Sequence, residues 1–255
     1  MATEQPLWGR VDPASLARIV VLSPHFDDAA MGAGLLLIRH EQADTTVITV
    51  YGGRPPAYPA EPTPWDALGG FKAGDDVVAE RRREDEAAME VLGARPVWLD
   101  FADHQYLAEE NRAGPADVVP ELEKAIIDRE PTVVFLPMGL ANPDHVVTHD
   151  AAMIVREAHP EIDWYCYEDQ GYKHLPGMLA WRVSKLFRAQ VWPTPAAVPV
   201  DSDFERKKRS ILCYVSQIPP LEQDHGFSER MDARVPEQFW RLAPPPKGWE
   251  RLIDV

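Results

Sequence analysis

Runs of apolar, β-branched residues alternate with longer segments whose apolar residues recur at helical spacing through the first two thirds of the chain. The strand-like runs are residues 18–23, 45–51, 97–101, 133–137 and 164–168. The helix-like segments are residues 29–41, 78–92, 116–129 and 148–158. This alternation predicts an α/β fold with a mostly parallel, doubly wound sheet that is flanked by helices.

The order of these elements also predicts where a ligand binds. Ligands of open α/β sheets bind beyond the carboxyl ends of the strands, so we expect the loops after the first four strands to converge on one crevice. The segment 52–74 is rich in Pro and Gly and longer than ordinary connections, which predicts a lid or a wall of that crevice. The proline-rich last third is predicted to be a covering layer, so that a single domain spans residues 1–255.

Charge and cysteine content narrow the function classes. The 255 residues include 41 Asp and Glu but 26 Lys and Arg, a formal net charge of −15, and phosphate binding needs clustered basic side chains, so a nucleic-acid-binding protein is disfavoured. No run of ~18 apolar residues predicts a membrane span, and the first residues lack the pattern of a secretory signal. Cys166 and Cys213 lie far apart in apolar surroundings, which predicts buried thiols in a cytoplasmic protein without a cysteine-based metal site. No pattern reports the oligomeric state.

The first strand runs directly into the sequence Ser-Pro-His-Phe-Asp-Asp at residues 23–28. An acidic side chain is favoured at a helix N-terminus, so Asp27 or Asp28 is expected to cap the helix that follows. Capping accounts for one carboxylate, but not for an imidazole and two carboxylates at one strand end. His25 and Asp28 are three residues apart across the turn, a spacing at which both can bind one metal ion. Asp27, between them, would stand over an open position beside that ion.

A second group of polar residues follows the fourth predicted strand and includes Asn142, Asp144, His145 and His149. Because that strand is expected to border the first, His145 is a natural third ligand. Two imidazoles and one carboxylate leave a position for water, which is typical of a catalytic rather than a structural zinc site. His149 lies one helical turn beyond His145 and is an alternative ligand or a neighbour of the ligands.

The segments SPHFDDAAMGAG and NPDH, in this order and at this spacing, resemble the PIG-L/LmbE family of zinc-dependent N-deacetylases and amidases. The family motifs are Pro-His-x-Asp-Asp after the first strand and a later His-x-Asp-His. Weaker similarity extends over most of the chain, at residues 81–84, 99–103, 167–169, 207–208 and 214–217. The resemblance implies a Rossmann-like fold of the LmbE type and a hydrolase that acts on amides.

Carried over by position, the resemblance implies that His25, Asp28 and His145 hold one zinc ion and that Asp27 is the general base. Zinc brings the pKa of a water to ~7, and a carboxylate beside that water can take its proton and return it to the leaving amine. Iron, manganese or cobalt also suit these ligands, so zinc is favoured through the family. Asp144 is implied to orient an imidazole.

Arg81 and Asp103 match family positions that face the substrate. Arg81 could bind a phosphate or sugar oxygen, and Asp103 a sugar hydroxyl. On local pattern alone, Arg81 is equally well explained as a solvated charge on a helix, and Asp103 as an ordinary loop acid.

Two positions depart from the family pattern. Ala29 stands where a glutamate often follows the paired aspartates, and Asn142 replaces the first histidine of His-x-Asp-His. That histidine is thought to stabilise the oxyanion of the tetrahedral intermediate. Either Asn142 is a neutral donor to the oxyanion, or another residue such as His149 or His104 takes this part. A lower rate, a changed substrate and a loss of hydrolysis all stay open.

The leading hypothesis is a zinc-dependent N-deacetylase that acts on an N-acetylated amino sugar such as N-acetylglucosamine, free or in a small glycoside or nucleotide. A variant within the family is an amidase of mycothiol-type thiol-sugar conjugates. A zinc- or sugar-binding protein that lost hydrolysis through Asn142 is an alternative from another class. Gly32 and Gly34 after a strand suggest a dinucleotide-binding protein, which is disfavoured because Asp27 and Asp28 would repel a pyrophosphate. The acidic balance favours a neutral sugar over a polyanion.

Overall fold

One mixed sheet forms the centre of the computed structural model, which describes residues 11–232 and 236–244. Its strands are β1 Arg18–Ser23, β2 Asp44–Thr49, β3 Arg95–Trp98, β4 Val133–Pro137, β5 Asp163–Tyr167, β6 Trp192–Ala196 and β7 Phe239–Ala243. They lie in the order β3-β2-β1-β4-β5-β7-β6. β1 to β5 are parallel, and β7 and β6 extend the sheet in antiparallel pairing. The prediction of a mostly parallel α/β sheet is confirmed.

Helices cover both faces of the sheet. They are α1 Asp28–Arg39, α2 Pro64–Leu68, α3 Val77–Leu92, α4 Pro115–Ile127, α5 Pro143–Ala158, α6 Met178–Arg188, α7 Phe204–Ile211, α8 Ile218–His225 and α9 Phe227–Asp232. α1, α3 and α7 contribute to one core, and α4, α5 and α6 to the other. Along β1, Ile19 and Val21 enter the first core, and Val20 and Leu22 the second, as expected for a strand buried on both faces. Within the described residues, no helix is both long and apolar enough to cross a membrane.

The last third of the chain is more regular than the predicted covering layer, because β6 and β7 belong to the sheet itself. The sequence pattern does not predict β6, because Pro193 and Pro195 are atypical of a strand. β6 lies at the edge of the sheet, where a strand pairs on one side and proline is tolerated.

Helix α5 begins five residues earlier than the pattern predicts. The Asn142 side-chain Oδ1 accepts a hydrogen bond from the Asp144 backbone N–H at 2.8 Å, and Pro143 occupies the first helical position. Both are ordinary start signals of a helix. His145 therefore lies in the first turn of α5, close to the carboxyl end of β4.

Helix α1 is interrupted at Ala33, whose φ of −139° is not helical. The Glu237 carboxylate accepts hydrogen bonds from the backbone N–H of Leu35 at 2.7 Å and of the next residue at 3.1 Å. Lys207 Nζ donates to the Met31 carbonyl and to Glu237 Oε1, both at 2.7 Å. This buried ion pair satisfies backbone groups that the interruption leaves without helical partners.

The two glycines of α1 serve packing. A Cβ at Gly32 would overlap the Tyr167 ring, with Cε2 at 2.7 Å, and a Cβ at Gly34 would lie 3.1 Å from Lys207 Cγ. The close approach lets the Tyr167 hydroxyl donate to the Leu22 carbonyl at 2.8 Å. These contacts account for both glycines without a bound pyrophosphate.

The segment 52–74 is a wall that side-chain contacts hold in place. Asp66, on α2, accepts hydrogen bonds from the Arg81 guanidinium and from the Tyr106 hydroxyl, each at 2.8 Å. Asp66 is 1% exposed and Arg81 is 4% exposed. Trp65 Nε1 donates at 2.7 Å to the glutamine side chain that precedes α8. The segment is therefore joined to α3 and to the last third of the chain.

Candidate metal centre

The carboxyl ends of β1 and β4 face a cavity of about 220 Å³. The turn after β1 supplies His25, Asp27 and Asp28, and its shape is held by the Asp28 carboxylate, which accepts from the His25 backbone N–H at 2.9 Å. Ser23 Oγ accepts from the Ala29 backbone N–H at 2.9 Å. Other polar lining residues come from later parts of the chain, namely Arg81, Asp103, His104, Gln105, Asn142, His145, Gln217 and His225.

His25, Asp28 and His145 come together as predicted, with ligand atoms that all lie within 4.8 Å of one another. His25 Nδ1 lies 3.4 Å from Asp28 Oδ2, and His145 Nε2 lies 3.2 Å from the same oxygen. The two imidazole rings have centroids 5.3 Å apart. One nitrogen of each ring and one carboxylate oxygen thus converge on a small volume.

The other nitrogen of each imidazole is bonded to a second carboxylate. His25 Nε2 lies 3.1 Å from Asp144 Oδ2, and His145 Nδ1 is hydrogen-bonded to Asp169 Oδ1. Histidines that bind metals generally donate their second N–H to a carboxylate or a carbonyl in this way. Asp144 therefore orients His25 rather than the adjacent His145, and Asp169 orients His145.

Burial and neighbouring charges shift the pKa values of His145 and Asp28. Burial by itself lowers the pKa of His145, but the Asp28 and Asp169 carboxylates outweigh it and raise that pKa to about 9. Burial raises the pKa of Asp28, but the two imidazoles outweigh it and hold that pKa well below its usual range. The carboxylate thus sits between two imidazoles that hold protons, and a cation can take the place of those protons.

This donor set fits a divalent metal ion such as zinc. Two imidazole nitrogens and one carboxylate oxygen are available at one point, and both imidazoles are already oriented by carboxylates. The same ligand types also suit other divalent transition metals.

Asp27 lies beside the group without joining it. It occupies the N-cap position of α1, but its side chain makes no capping hydrogen bond to the helix. It is 5% exposed, and burial together with the Asp28 charge raises the pKa of Asp27 to about 7. The capping explanation therefore does not account for this carboxylate.

A second, overlapping group contains His25, Asp103, His104 and Asp144. Asp144 Oδ2 accepts from His104 Nδ1 at 2.8 Å and from the His104 backbone N–H at 3.1 Å. Because a neutral imidazole has one lone pair, His25 cannot bind a metal through Nδ1 and a second metal through Nε2. The bond from His25 Nε2 to Asp144 favours the group with Asp28 and His145.

Asn142 lines the cavity, but its side chain has other partners. Its Oδ1 caps α5, and its Nδ2 donates to the Tyr172 hydroxyl at 3.3 Å. The Tyr172 ring packs edge-on against the His145 ring, with centroids 5.1 Å apart. Asn142 thus links the start of α5 to an aromatic residue of the site.

His149 does not reach the cavity. Its Nδ1 is hydrogen-bonded to the Pro137 carbonyl at 2.8 Å, and the residue is 1% exposed. Burial and the nearby Arg182 lower the pKa of His149 to about 3, so the ring is neutral. The alternative in which His149 binds the metal is not supported by its position.

Arg81 and Asp103 both line the cavity, as the resemblance implies. Arg81 is no solvated helix charge, since it is buried and paired with Asp66. Asp103 accepts hydrogen bonds from the Gln105 backbone N–H at 3.0 Å and from its side-chain amide at 2.8 Å. Asp103 Oδ2 also lies 3.9 Å from His25 Nε2, next to the proposed ligands.

The sequence motifs do not assign a role at the site to Asp169 or Tyr172, which both contact His145. Asp169 follows the end of β5 by two residues, and β5 pairs with β4. A carboxylate just after a parallel strand beside β4 is a signal that the position rule for open sheets could have used. Tyr172 carries no such signal, because its place depends on the path of the chain after β5.

Residues 20–156 match the family model of PIG-L, the GlcNAc-PI de-N-acetylases. The mycothiol S-conjugate amidase of Streptomyces coelicolor is 25% identical over 257 residues, which cover 89% of this chain and 86% of the amidase. The crystal structure of the A40926 pseudoaglycone deacetylase matches with a TM-score of 0.72 at 24% identity, over 89% of this chain and 98% of that chain. A deacetylase–teicoplanin complex matches with a TM-score of 0.70 at 23% identity, over 90% of this chain and 100% of that chain. At these identities, the two structures show that the fold is shared.

Proposed function

Because this chain belongs to the PIG-L family of de-N-acetylases, we propose that it is a metal-dependent hydrolase that removes an acetyl group from an N-acetylated amino sugar. The sugar is free or part of a small glycoside. The observation that carries the proposal is the convergence of His25, Asp28 and His145 on one point of the cavity that Asp27 also lines.

The metal that we propose is zinc, held by His25, Asp28 and His145. When bound, zinc supplies a Lewis acid for a water molecule and for the amide carbonyl. Asp144 and Asp169 keep the two imidazoles in the tautomer and orientation that expose one nitrogen each to the metal.

Asp27 acts as the general base. It lies next to Asp28 in the chain and lines the cavity, so its carboxylate stands beside the metal ligands. Since it makes no capping bond to α1, it can accept the proton of the attacking water and pass it to the leaving nitrogen. The water oxygen bonds to the acyl carbon, the C–N bond breaks, and the proton that Asp27 took from the water goes to the nitrogen. The products are the amine and acetic acid, which ionises to acetate.

The charges of the cavity favour a neutral substrate. Among the described lining residues, Arg81 is the only arginine or lysine, and Asp66 already compensates its charge. Asp27, Asp28 and Asp103 contribute carboxylates to the same cavity. Asp103 can accept a hydrogen bond from a sugar hydroxyl, whereas its carboxylate would repel a phosphate group at the same place.

The test is a screen of acetylated sugars with detection of the free primary amine. Zinc-loaded protein is incubated with N-acetylglucosamine, its methyl glycoside and its nucleotide-linked form. We expect amine release from the neutral sugars, and a 10²- to 10⁴-fold lower rate for Asp27→Asn with one zinc still bound. Asp128→Asn, an exposed residue at the end of α4, is the matched control.

Two outcomes would contradict these assignments. If zinc-loaded protein releases no amine from any acetylated sugar or glycoside, the chain is not a deacetylase of such sugars. Equal turnover by the wild type and Asp27→Asn would remove Asp27 from the mechanism.

A second candidate is an amidase that cleaves a bulkier acyl group from a glucosamine. The similarity to the mycothiol S-conjugate amidase favours it. The same assay with a glucosamine that carries an S-alkylated cysteinyl amide separates the two, because a deacetylase prefers the acetyl compound and an amidase the bulky one.

A further inference from the structure

The carbonyl oxygen of an amide gains negative charge when water attacks, and a cavity that hydrolyses amides places hydrogen-bond donors at that oxygen. Asn142 is a weak choice for this task in the described structure. Its Oδ1 is used as the cap of α5, and one hydrogen of its amide is directed to the Tyr172 hydroxyl. The amide group that carries its other hydrogen has no formal charge.

His104 has a different arrangement. Its Nδ1 is bonded at 2.8 Å to Asp144, which is also the carboxylate that orients His25. The ring lines the cavity and is 26% exposed, and no group of the described residues is hydrogen-bonded to its Nε2. One ring nitrogen is therefore fixed by a buried carboxylate, while the other is available to a ligand.

The position of His104 is well defined by the chain around it. Asp103 caps the short 3-10 turn His104–Tyr106, and the His104 backbone N–H also donates to Asp144 at 3.1 Å. The backbone and the imidazole of His104 are thus bonded to the same carboxylate. Such a two-point attachment holds the ring in one orientation relative to the proposed metal ligands, as an oxyanion donor requires.

We propose that His104, held by Asp144, is the catalytic residue that donates from Nε2 to the carbonyl oxygen of the substrate. In this role Nδ1–H donates to the Asp144 carboxylate, while Nε2–H donates to the carbonyl oxygen of the reacting amide. This inference rests on the proposed function, and it deepens it by assigning the oxyanion donor to a loop after β3 rather than to the start of α5.

The alternative role for His104 is that of a ligand for a second cation, together with Asp103 and Asp144. The two roles predict different metal contents. As an oxyanion donor, His104 leaves one zinc per chain whether or not it is substituted. As a ligand, it binds a second equivalent that a His104 variant loses.

The test compares His104→Gln, His104→Ala and Asn142→Ala in the zinc-loaded protein, with His159→Gln as the matched control. His159 lies outside the cavity and is bonded to Glu123. We expect His104→Gln to lower kcat by about 10²- to 10³-fold with little change in KM, and Asn142→Ala to lower it by less than tenfold. Added imidazole should restore part of the activity of His104→Ala, which a purely structural role would not allow.

A binding measurement keeps the inference independent of turnover. Methylphosphonate is a tetrahedral anion of acetyl size, and N-acetylglucosamine represents the ground state. In calorimetric titrations, His104→Gln should weaken methylphosphonate binding at least tenfold and N-acetylglucosamine binding less than twofold. If the wild type releases no amine, the proposed function fails, whereas the methylphosphonate comparison still decides the role of His104.

Three results would overturn the inference. The first is unchanged methylphosphonate affinity in a folded His104→Gln that holds one zinc. The second is a larger loss in Asn142→Ala than in His104→Gln. The third is a second zinc equivalent that disappears in His104→Gln. Thermal unfolding of each variant shows whether a loss reflects the site or the fold.

Discussion

At the scale of single residues, each histidine of the proposed metal centre is held by a carboxylate that is not itself a proposed ligand. Asp144 is bonded to His25, and Asp169 to His145. Asp144 is suggested by its place in the motif, whereas Asp169 follows a different strand, and only its contact with His145 shows what it does. Residues of this kind orient the ligands, so their removal weakens a metal site without removing a ligand.

Asp169→Asn is expected to lower zinc affinity about 10- to 100-fold, because a neutral amide oxygen replaces the charged carboxylate that accepts from His145 Nδ1. Competition with a chromophoric chelator measures the Kd. Asp163→Asn, a partly exposed residue of β5 paired with Arg241, is the control and should leave the Kd unchanged. An unaltered Kd in Asp169→Asn would show that the bond to His145 does not support metal binding.

Asp85 gives a pH-dependent prediction away from the metal centre. It is fully buried, and its carboxylate accepts from Trp98 Nε1 and the Tyr214 hydroxyl, each at 2.7 Å. Burial outweighs these bonds and raises the pKa of Asp85 from 3.8 to about 6. A raised acid pKa means that the charged form costs stability above pH 6, and that this cost fades as the pH falls towards the unfolded pKa.

Asp85→Asn removes this cost. The free energy of unfolding of the variant relative to the wild type should therefore fall by about 1 to 2 kcal/mol between pH 8 and pH 5. Urea unfolding at both pH values measures the difference. A difference that does not change with pH would show that Asp85 titrates as it does in the unfolded chain.

At the scale of elements, the segment 52–74 is the part whose length alone suggested a role at the site. The structure shows how it is held: Asp66 of α2 forms a buried ion pair with Arg81 of α3. Arg81 thus holds the segment 52–74 in place as a wall of the cavity, in addition to lining the cavity itself. A local sequence pattern could not show this, because the two residues come from separate elements and meet only in the folded chain.

Asp66→Ala should destabilise the protein by about 3–5 kcal/mol, because it leaves the Arg81 charge buried and unpaired. The double variant Asp66→Leu with Arg81→Met should recover most of that loss, since an apolar pair of similar volume carries no desolvation cost. Urea unfolding provides the values. Asp44→Ala, which breaks an exposed ion pair with Arg95, is the control and should cost less than about 1 kcal/mol. A loss in Asp66→Ala no larger than in this control would contradict the buried role.

At the scale of the whole molecule, the net charge of −15 gains a partial explanation. Four of its acids belong to one proposed cation site: Asp27 and Asp28 line the cavity, and Asp144 and Asp169 are bonded to the two imidazoles. Acidic groups that repel one another in the metal-free protein are stabilised when a cation binds between them. The folded state should therefore be coupled to metal.

Zinc should raise the Tm, because it binds the folded chain at a preformed site. At a free zinc concentration 100 times the Kd, the stabilisation is about 2.7 kcal/mol, which corresponds to roughly 5–10 °C for a chain of this size. Differential scanning calorimetry with and without a chelator measures the shift. His25→Ala should remain folded and show no zinc-dependent shift, and an equal shift in that variant would place the metal elsewhere.

The sequence by itself determined the strands and the candidate residues that depend on local periodicity and on short motifs. The buried strands β1 and β4 are read from uninterrupted apolar runs, and His25, Asp27 and Asp28 follow directly from the end of β1. The position of His145 follows from the expected neighbourhood of β1 and β4, which pair in the sheet. These residues lie close together because a parallel sheet brings the carboxyl ends of its strands to one edge.

Only the tertiary structure decided which side chains act together across elements. Residues 145 and 149 are one turn apart on α5, yet that turn, about 5.4 Å long, takes His149 to the Pro137 carbonyl and away from the cavity. His104 meets Asp144 from a loop 40 residues earlier, and Asp169 meets His145 from beyond β5. Such contacts depend on the packing of several elements at once, and no spacing within one segment encodes the distance between two imidazoles or between an imidazole and its carboxylate.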